Sequence, residues 1–147
     1  MDKVKMRELG LAAKEAKNLT WEQIGKEIGR NALGAAMLVY GYGAAGDEEA
    51  EKLARLLELP EEAKAALKKV PHRVPVQPWP PTDPFVYRFY EVVMLYGPVI
   101  KDVAHEMFGD GIMSAIDMKL DLKKVEEHGA ERAEFTFNGK WLPYRRF

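Results

Sequence analysis

Arg88 and Glu91, three residues apart in Tyr87-Arg-Phe-Tyr-Glu91, and Ser114, shortly after Gly109-Asp-Gly111, are the side chains whose types and spacing could do chemistry. On a helix, residues three apart share a face, so Glu91 would brace the Arg88 guanidinium, and a braced guanidinium is a receptor for anions. Ser114 carries a hydroxyl that both donates and accepts, which suits a small polar ligand that exchanges protons as it reacts. Such Arg–Glu spacing more often gives a surface ion pair. A lone serine with no adjacent histidine is more often a small residue that permits close packing than a nucleophile. The aromatic neighbours of Arg88 argue against its full exposure.

The elements that must position these groups follow from local pattern. Phe85 to Tyr96 predicts a helix ended by Gly97-Pro98, and Val99 to Phe108 a second one. Aromatic residues at 85, 87, 89, 90 and 96 surround the first helix, which predicts burial on several sides. After Gly111 the period changes to two. Ile116, Met118, Leu120 and Leu122 alternate with Asp117, Lys119, Asp121 and Lys123, the pattern of a strand with one wet face. Ala133, Phe135 and Phe137 alternate likewise before Asn138-Gly139, which reads as a two-residue hairpin turn, with Lys140 to Phe147 returning as an extended segment. This module of about two helices and two or three strands is small for an independent core, so oligomerisation is the expected supplement.

Upstream, residues 1 to 17 space Val4, Leu9, Ala12, Ala13 and Ala16 as an amphipathic helix. Thr20-Trp-Glu-Gln23 reads as a capping box, with Ile24 and Ile28 inward and Gly29 at the end. A helix from Asn31 to Tyr40 carries no charge. Asp47-Glu-Glu opens another with Leu53, Leu56 and Leu57 inward, and Glu61 to Val70 makes a last short one. The helix, glycine turn and helix from Thr20 to Tyr40 resemble a phage-repressor helix-turn-helix. DNA reading is poorly supplied there, because the second helix offers Asn31 but no arginine, lysine or glutamine. An apolar helix of this kind is expected to meet protein instead. The runner-up reading is a helix-turn-helix DNA-binding regulator with a C-terminal oligomerisation module.

Six of the nine prolines fall between Pro71 and Pro84, which predicts a semi-rigid linker with Trp79 packed against the surface. The expected division is therefore a helical bundle at 1–70, a linker at 71–84 and a second module at 85–147. The expected fold class is α+β: a repressor-like helical bundle followed by a small α/β module.

Composition narrows the function. Charge is balanced, with 12 basic and 12 acidic residues up to Val70 and 10 and 11 beyond, so neither half has the net basicity suited to nucleic acid or acidic lipid. With no cysteine there is no disulfide framework or thiol nucleophile. The charged N-terminus lacks a secretory core, and no apolar run reaches the roughly 20 residues of a membrane span. A cytoplasmic location is expected. His72, His105 and His128 are far apart and lack zinc-site spacing, so no metal site is expected. Gly109 and Gly111 lack the further glycine and lysine of a phosphate loop, which argues against nucleotide binding.

The segment from Thr82-Asp-Pro through Tyr87-Arg-Phe-Tyr-Glu91 to Phe108-Gly-Asp-Gly-Ile-Met-Ser-Ala-Ile-Asp-Met-Lys-Leu-Asp-Leu122 resembles the catalytic half of cyanase, also called cyanate hydratase or cyanate lyase. Phe137-Asn-Gly-Lys-Trp-Leu-Pro143 resembles the closing hairpin of that family, and the N-terminal half matches in organisation. The resemblance implies bicarbonate-dependent decomposition of cyanate to carbamate and carbon dioxide, the carbamate then giving ammonia and a second carbon dioxide. It implies Arg88, Glu91 and Ser114 as catalytic residues, with Ile112 and Leu142 as apolar lining. It further implies no cofactor, bicarbonate as co-substrate, a repressor-like bundle not used on DNA followed by a small α/β dimerisation and catalytic domain, and a homodecamer of five dimers with sites shared between subunits.

Overall fold

The computed structural model describes residues 1–71 and 79–145. The observed architecture is α+β: six helices followed by one antiparallel pair of strands among the described residues. Residues 72–78 of the expected proline linker lie outside those described.

The chain forms two compact units. The first takes the N-terminal helices together with Lys119–Asn138. Its helices are α1 (Lys3–Ala16), α2 (Trp21–Ile28), α3 (Ala32–Val39), α4 (Asp47–Leu56) and α5 (Glu61–Lys68). Their boundaries are set by the expected chemistry. Asp2 caps α1 through the Lys5 N–H, and Thr20 and Gln23 form a complete capping box on α2. Gly29 ends α2 in the left-handed conformation, and Asn31 caps α3 through the Gly34 N–H. The helices bury Met6, Ile24, Leu38, Val39, Leu53, Leu57 and Leu67 in one core, with α2 against α3 and α4, and α1 against α3 and α5. Leu56 is only partly covered beside that core.

Charged groups fasten this unit at its edges. Arg30, just beyond α2, holds Glu49 of α4 through two bonds of 2.5 and 2.9 Å. The hydrogen bond from Arg30 holds the Glu49 carboxyl below the usual carboxylate range against the opposing effect of burial, with help from the Gly46 N–H. Lys3 donates to the carbonyls of Gly43 and Leu67, and its partial burial, then the nearby charge of Lys69, push its ammonium pKa down.

The second unit contains α6 (Pro84–Phe108), together with β1 up to Met118 and β2 from Gly139. Asp83 caps α6 through the Val86 N–H, and Pro84 occupies the first turn, where its missing N–H costs nothing. The expected break at Gly97-Pro98 does not occur. One helix of 25 residues runs through Pro98 to Phe108. A proline removes one backbone bond and crowds one carbonyl, about 3 kcal/mol. The apolar, helix-compatible turns on both sides outweigh that loss.

The expected burial of α6 is not met within one chain either, since none of its residues is buried. Val93, Leu95, Tyr96, Val99, Ile100 and Met107 are among the apolar side chains left more than half exposed. An apolar surface of this length is the mark of a chain that folds against other copies or partners. No described helix, α6 included, is long and apolar enough to cross a membrane.

β1 (Gly111–Glu127) and β2 (Ala130–Pro143) form one long hairpin. Its turn is His128-Gly129, with φ of +53° and +74°, and not Asn138-Gly139, which lies inside β2. Two consecutive positive φ angles are what a type I′ hairpin turn requires. Gly139 serves instead where the two strands come unusually close. Lys140 to Pro143 therefore continues β2, and no third strand forms among the described residues. The alternation of β1 is present but uncovered in one chain: Met118 and Leu120 are half-buried, whereas Ile116 and Leu122 are exposed.

Candidate active site

Arg88 and Glu91 lie one turn apart on α6, and Nη1 of Arg88 meets Oε2 of Glu91 at 3.0 Å. The Glu91 side chain is the better covered, at 34% exposure, while that of Arg88 is 74% exposed. The aromatic neighbours thus do not shelter Arg88 within a single chain. One side of its guanidinium is fixed by a carboxylate and the rest faces outward, the disposition of an anion receptor awaiting cover. Around it, Tyr87 and Tyr90 pack at 5.6 Å between ring centres, Phe85 and Phe89 at 5.5 Å, and Trp79 meets Tyr90 edge-on at 5.0 Å. These contacts stiffen the turn of helix that carries the ion pair.

Ser114 is buried, at 8% exposure. Its Oγ accepts from the N–H of Ile116 at 3.2 Å and from that of Asp117 at 2.9 Å. Successive N–H groups of a regular strand point to opposite sides, so their convergence on one oxygen marks a bulge in β1. The unequal strand lengths, 17 residues in β1 and 14 in β2, accord with extra residues on that strand. The chemical consequence is specific. A hydroxyl has two acceptor sites and one proton; with both acceptor sites filled, Ser114 has only its proton to offer. It can donate to an anion and is poorly disposed to act as a base or nucleophile.

The turn that leads into β1 is fastened from three directions. Gly109 closes α6 with its N–H on the His105 carbonyl, and Tyr144 donates its N–H to the Asp110 carbonyl at 3.0 Å. The His105 ring places Nε2 3.0 Å from the Gly111 carbonyl and Nδ1 3.3 Å from Oδ1 of Asp110. A carbonyl can only accept, so Nε2 carries the hydrogen of that bond. Trp141 stacks near Phe108 and meets His105 edge-on, closing the base of the hairpin. Ile112 and Leu142 remain 50% and 40% exposed there, available to line a site formed with another surface.

The structure therefore joins Arg88 to Glu91, and holds Ser114 separately through its own strand. From the sequence, His105 is legible only against a zinc pattern and Gly139 only as a turn glycine; the position of His105 six residues before Gly111 is the signal of its contact at the start of β1. Among the described residues no group of three or more histidine or acidic side chains is arranged for a metal ion.

Asn31, the one side chain of the second helix suited to a base edge, is committed elsewhere. Its amide donates to the Leu120 carbonyl at 2.7 Å and to Oδ1 of Asp121 at 3.3 Å, while its oxygen caps α3. With the amide so occupied, α3 presents no side-chain reader to a DNA groove.

Comparison with known proteins identifies the family. Residues 78–146 match the family model for the cyanate lyase C-terminal domain, and residues 4–71 match that for the cyanate hydratase N-terminal region. A cyanate hydratase of Sulfurisphaera tokodaii is 58% identical over the whole of this chain and 99% of its own length. One from Aquifex aeolicus is 63% identical over 88% of this chain and 87% of its own. The crystal structure of cyanase from T. urticae superposes with a TM-score of 0.83 at 33% identity, covering 94% of this chain and 96% of that one. A DNA-binding regulator is not favoured by any of these relationships. The chain belongs to the cyanate hydratase (cyanate lyase) family.

Proposed function

We propose that this lyase brings cyanate and bicarbonate together at a site formed by Arg88, Glu91 and Ser114, lined by Ile112 and Leu142, and drawn from more than one copy of the chain. The observation that carries this reading is the pair of donors the fold prepares. Arg88 is braced by Glu91 yet still faces outward, and Ser114 has both acceptor positions filled, so it presents a proton.

The physical obstacle is that both reactants are anions. Their repulsion and hydration oppose contact in water, whereas fixed donors in a site closed to solvent offset both and hold the atoms in line. A bicarbonate oxygen attacks the cyanate carbon to give a dianionic adduct. Taking up one proton, the adduct breaks the bond between that oxygen and the bicarbonate carbon, releasing carbon dioxide and leaving carbamate. Carbamate takes a second proton and separates into ammonia and another carbon dioxide. Arg88 supplies charge and a planar donor fork, Glu91 keeps that fork aimed, and Ser114 donates to the bound anions. Bicarbonate is a co-substrate in this scheme, and no step calls for a cofactor.

One arginine in the proposed site of each chain is little for two anions, and α6 leaves its apolar surface uncovered in the single chain. Both observations support sites completed between copies; that the copies form a homodecamer of five dimers is part of the proposal and follows from the family resemblance, and its place in the cytoplasm is proposed with it. Residues 85–147 then serve as the catalytic and assembly module, and the helical bundle has no role on DNA. Supplying cyanate with and without bicarbonate and measuring ammonia and carbon dioxide tests the reading. Ammonia release should require both reactants, and equal release without bicarbonate would refute it.

A further inference from the structure

Gly139 of β2 and Gly111 of β1 stand where a methyl group does not fit. A Cβ built on Gly139 would lie 2.6 Å from the Ser114 carbonyl oxygen and closer still to Cγ of Met113. One built on Gly111 would lie 2.6 Å from the Leu142 carbonyl oxygen and 2.8 Å from Nε1 of Trp141. Neither glycine has a positive φ, unlike Gly29, Gly41, Gly109 and Gly129. Their backbone angles are open to any residue. What they supply is room for the two strands to touch at the base of the hairpin.

We propose that Gly139 is a positioning residue for Ser114, letting β2 lie flush against the Ser114 peptide so that the bulge keeps the hydroxyl aimed as a donor. The inference rests on the reading of Ser114 as a ligand to the substrates. A carbon set against a carbonyl oxygen ordinarily sits at about 3.3 Å or more, so a methyl at 139 moves the Ser114 carbonyl by roughly 0.7 Å. That carbonyl and the Oγ belong to one residue. Shifting one re-aims the other and loosens the N–H bonds from Ile116 and Asp117 that converge on it. A misplacement approaching 1 Å in a reacting constellation can cost about 100-fold in rate.

The experiment compares Gly139→Ala, Ser114→Ala, Gly129→Ala and the double variant Gly139→Ala/Met113→Ala in the assembled full chain. Turnover of cyanate with bicarbonate, oligomer size by light scattering and melting temperature are measured for each. Gly129 has a left-handed φ but open space around it, so Gly129→Ala should lower the melting temperature and leave turnover intact. Gly139→Ala should lose roughly 10- to 100-fold in kcat/KM at unchanged oligomer size. Removing the Met113 side chain should not rescue it, because the Ser114 carbonyl still blocks the methyl.

Amide exchange at Ile116 and Asp117 gives a readout that general destabilisation does not mimic: faster in Gly139→Ala and Ser114→Ala, unchanged in Gly129→Ala. If Gly139→Ala does not assemble alone, isotope-labelled variant chains are refolded with excess wild-type chains and exchange is read on them. Wild-type protection there, or wild-type turnover in Gly139→Ala beside an inactive Ser114→Ala, overturns the proposal and leaves the role of Ser114 standing. Rescue by Met113→Ala also overturns it. Wild-type turnover in Ser114→Ala would instead remove the reading on which it rests.

Discussion

Nη1 of Arg88 meets Oε2 of Glu91 at 3.0 Å across one turn of α6, with the arginine turned outward and the glutamate the better covered. The carboxylate fixes one edge of the guanidinium and leaves the remaining donors for a ligand. Arg88→Lys should therefore fail nearly as badly as Arg88→Ala, each by roughly 100-fold or more in turnover, because an ammonium does not reproduce a planar fork. Glu91→Gln should do intermediate damage. Steady-state kinetics on oligomers of wild-type size check this, and near-normal turnover in Arg88→Ala would remove the residue from the site.

Sharing of sites between copies predicts complementation. Inactive Arg88→Ala chains refolded together with inactive Ser114→Ala chains should regain part of the activity. Some boundaries would then collect an intact arginine from one copy and an intact serine from another. Each mutant refolded alone should stay inactive, and an isolated monomer with full turnover would contradict the arrangement.

Asn31 ties α3 to β1 within the N-terminal unit through the Leu120 carbonyl. Asn31→Asp keeps an oxygen for the α3 cap but loses both amide donors and sets a carboxylate against Leu120 and Asp121. A loss of about 1–3 kcal/mol is expected by denaturant unfolding. Asn31→Ser, which retains a cap without the added charge, should lose less. Neither variant nor the wild type should show salt-dependent duplex binding.

The Arg30–Glu49 pair sets a direction for acid unfolding. Its hydrogen bonds depress the folded-state value of Glu49, so the stabilisation is fully present above the unfolded glutamate pKa of about 4.3 and is lost as pH falls through the folded value. Thermal melts across that acid range should show a steeper loss for the wild type than for Glu49→Gln. The difference should be about 1 kcal/mol or less, since both side chains remain partly exposed. Equal slopes would show that the pair does not contribute.

Local chemistry made much of the fold legible in the sequence. The Thr20–Gln23 capping box and the Asn31 cap bound helices as their side chains dictate, and Gly29 ends α2 through the left-handed conformation open to glycine. Legibility failed where distant backbone decides. Asn138-Gly139 has the composition of a turn, but its glycine is explained by the proximity of Ser114, a contact invisible until the strands are paired. Pro98 looked like a stop because proline is read locally, whereas the surrounding apolar turns carry α6 past it. Arg88, Glu91 and Ser114 were legible as residue types in a family motif. The doubly occupied Ser114 oxygen was not, because it depends on a bulge that no periodicity announces.

The proposed reaction turns on a bond between a bicarbonate oxygen and the cyanate carbon. Cyanate labelled with heavy carbon and bicarbonate labelled with heavy oxygen should be mixed with the enzyme, and both carbon dioxides released at early times analysed by membrane-inlet mass spectrometry. The carbon dioxide that carries the cyanate carbon should hold one heavy oxygen, delivered by bicarbonate and retained through carbamate. If that carbon dioxide carries no heavy oxygen at early times, water and not bicarbonate attacked the cyanate, and the account is contradicted.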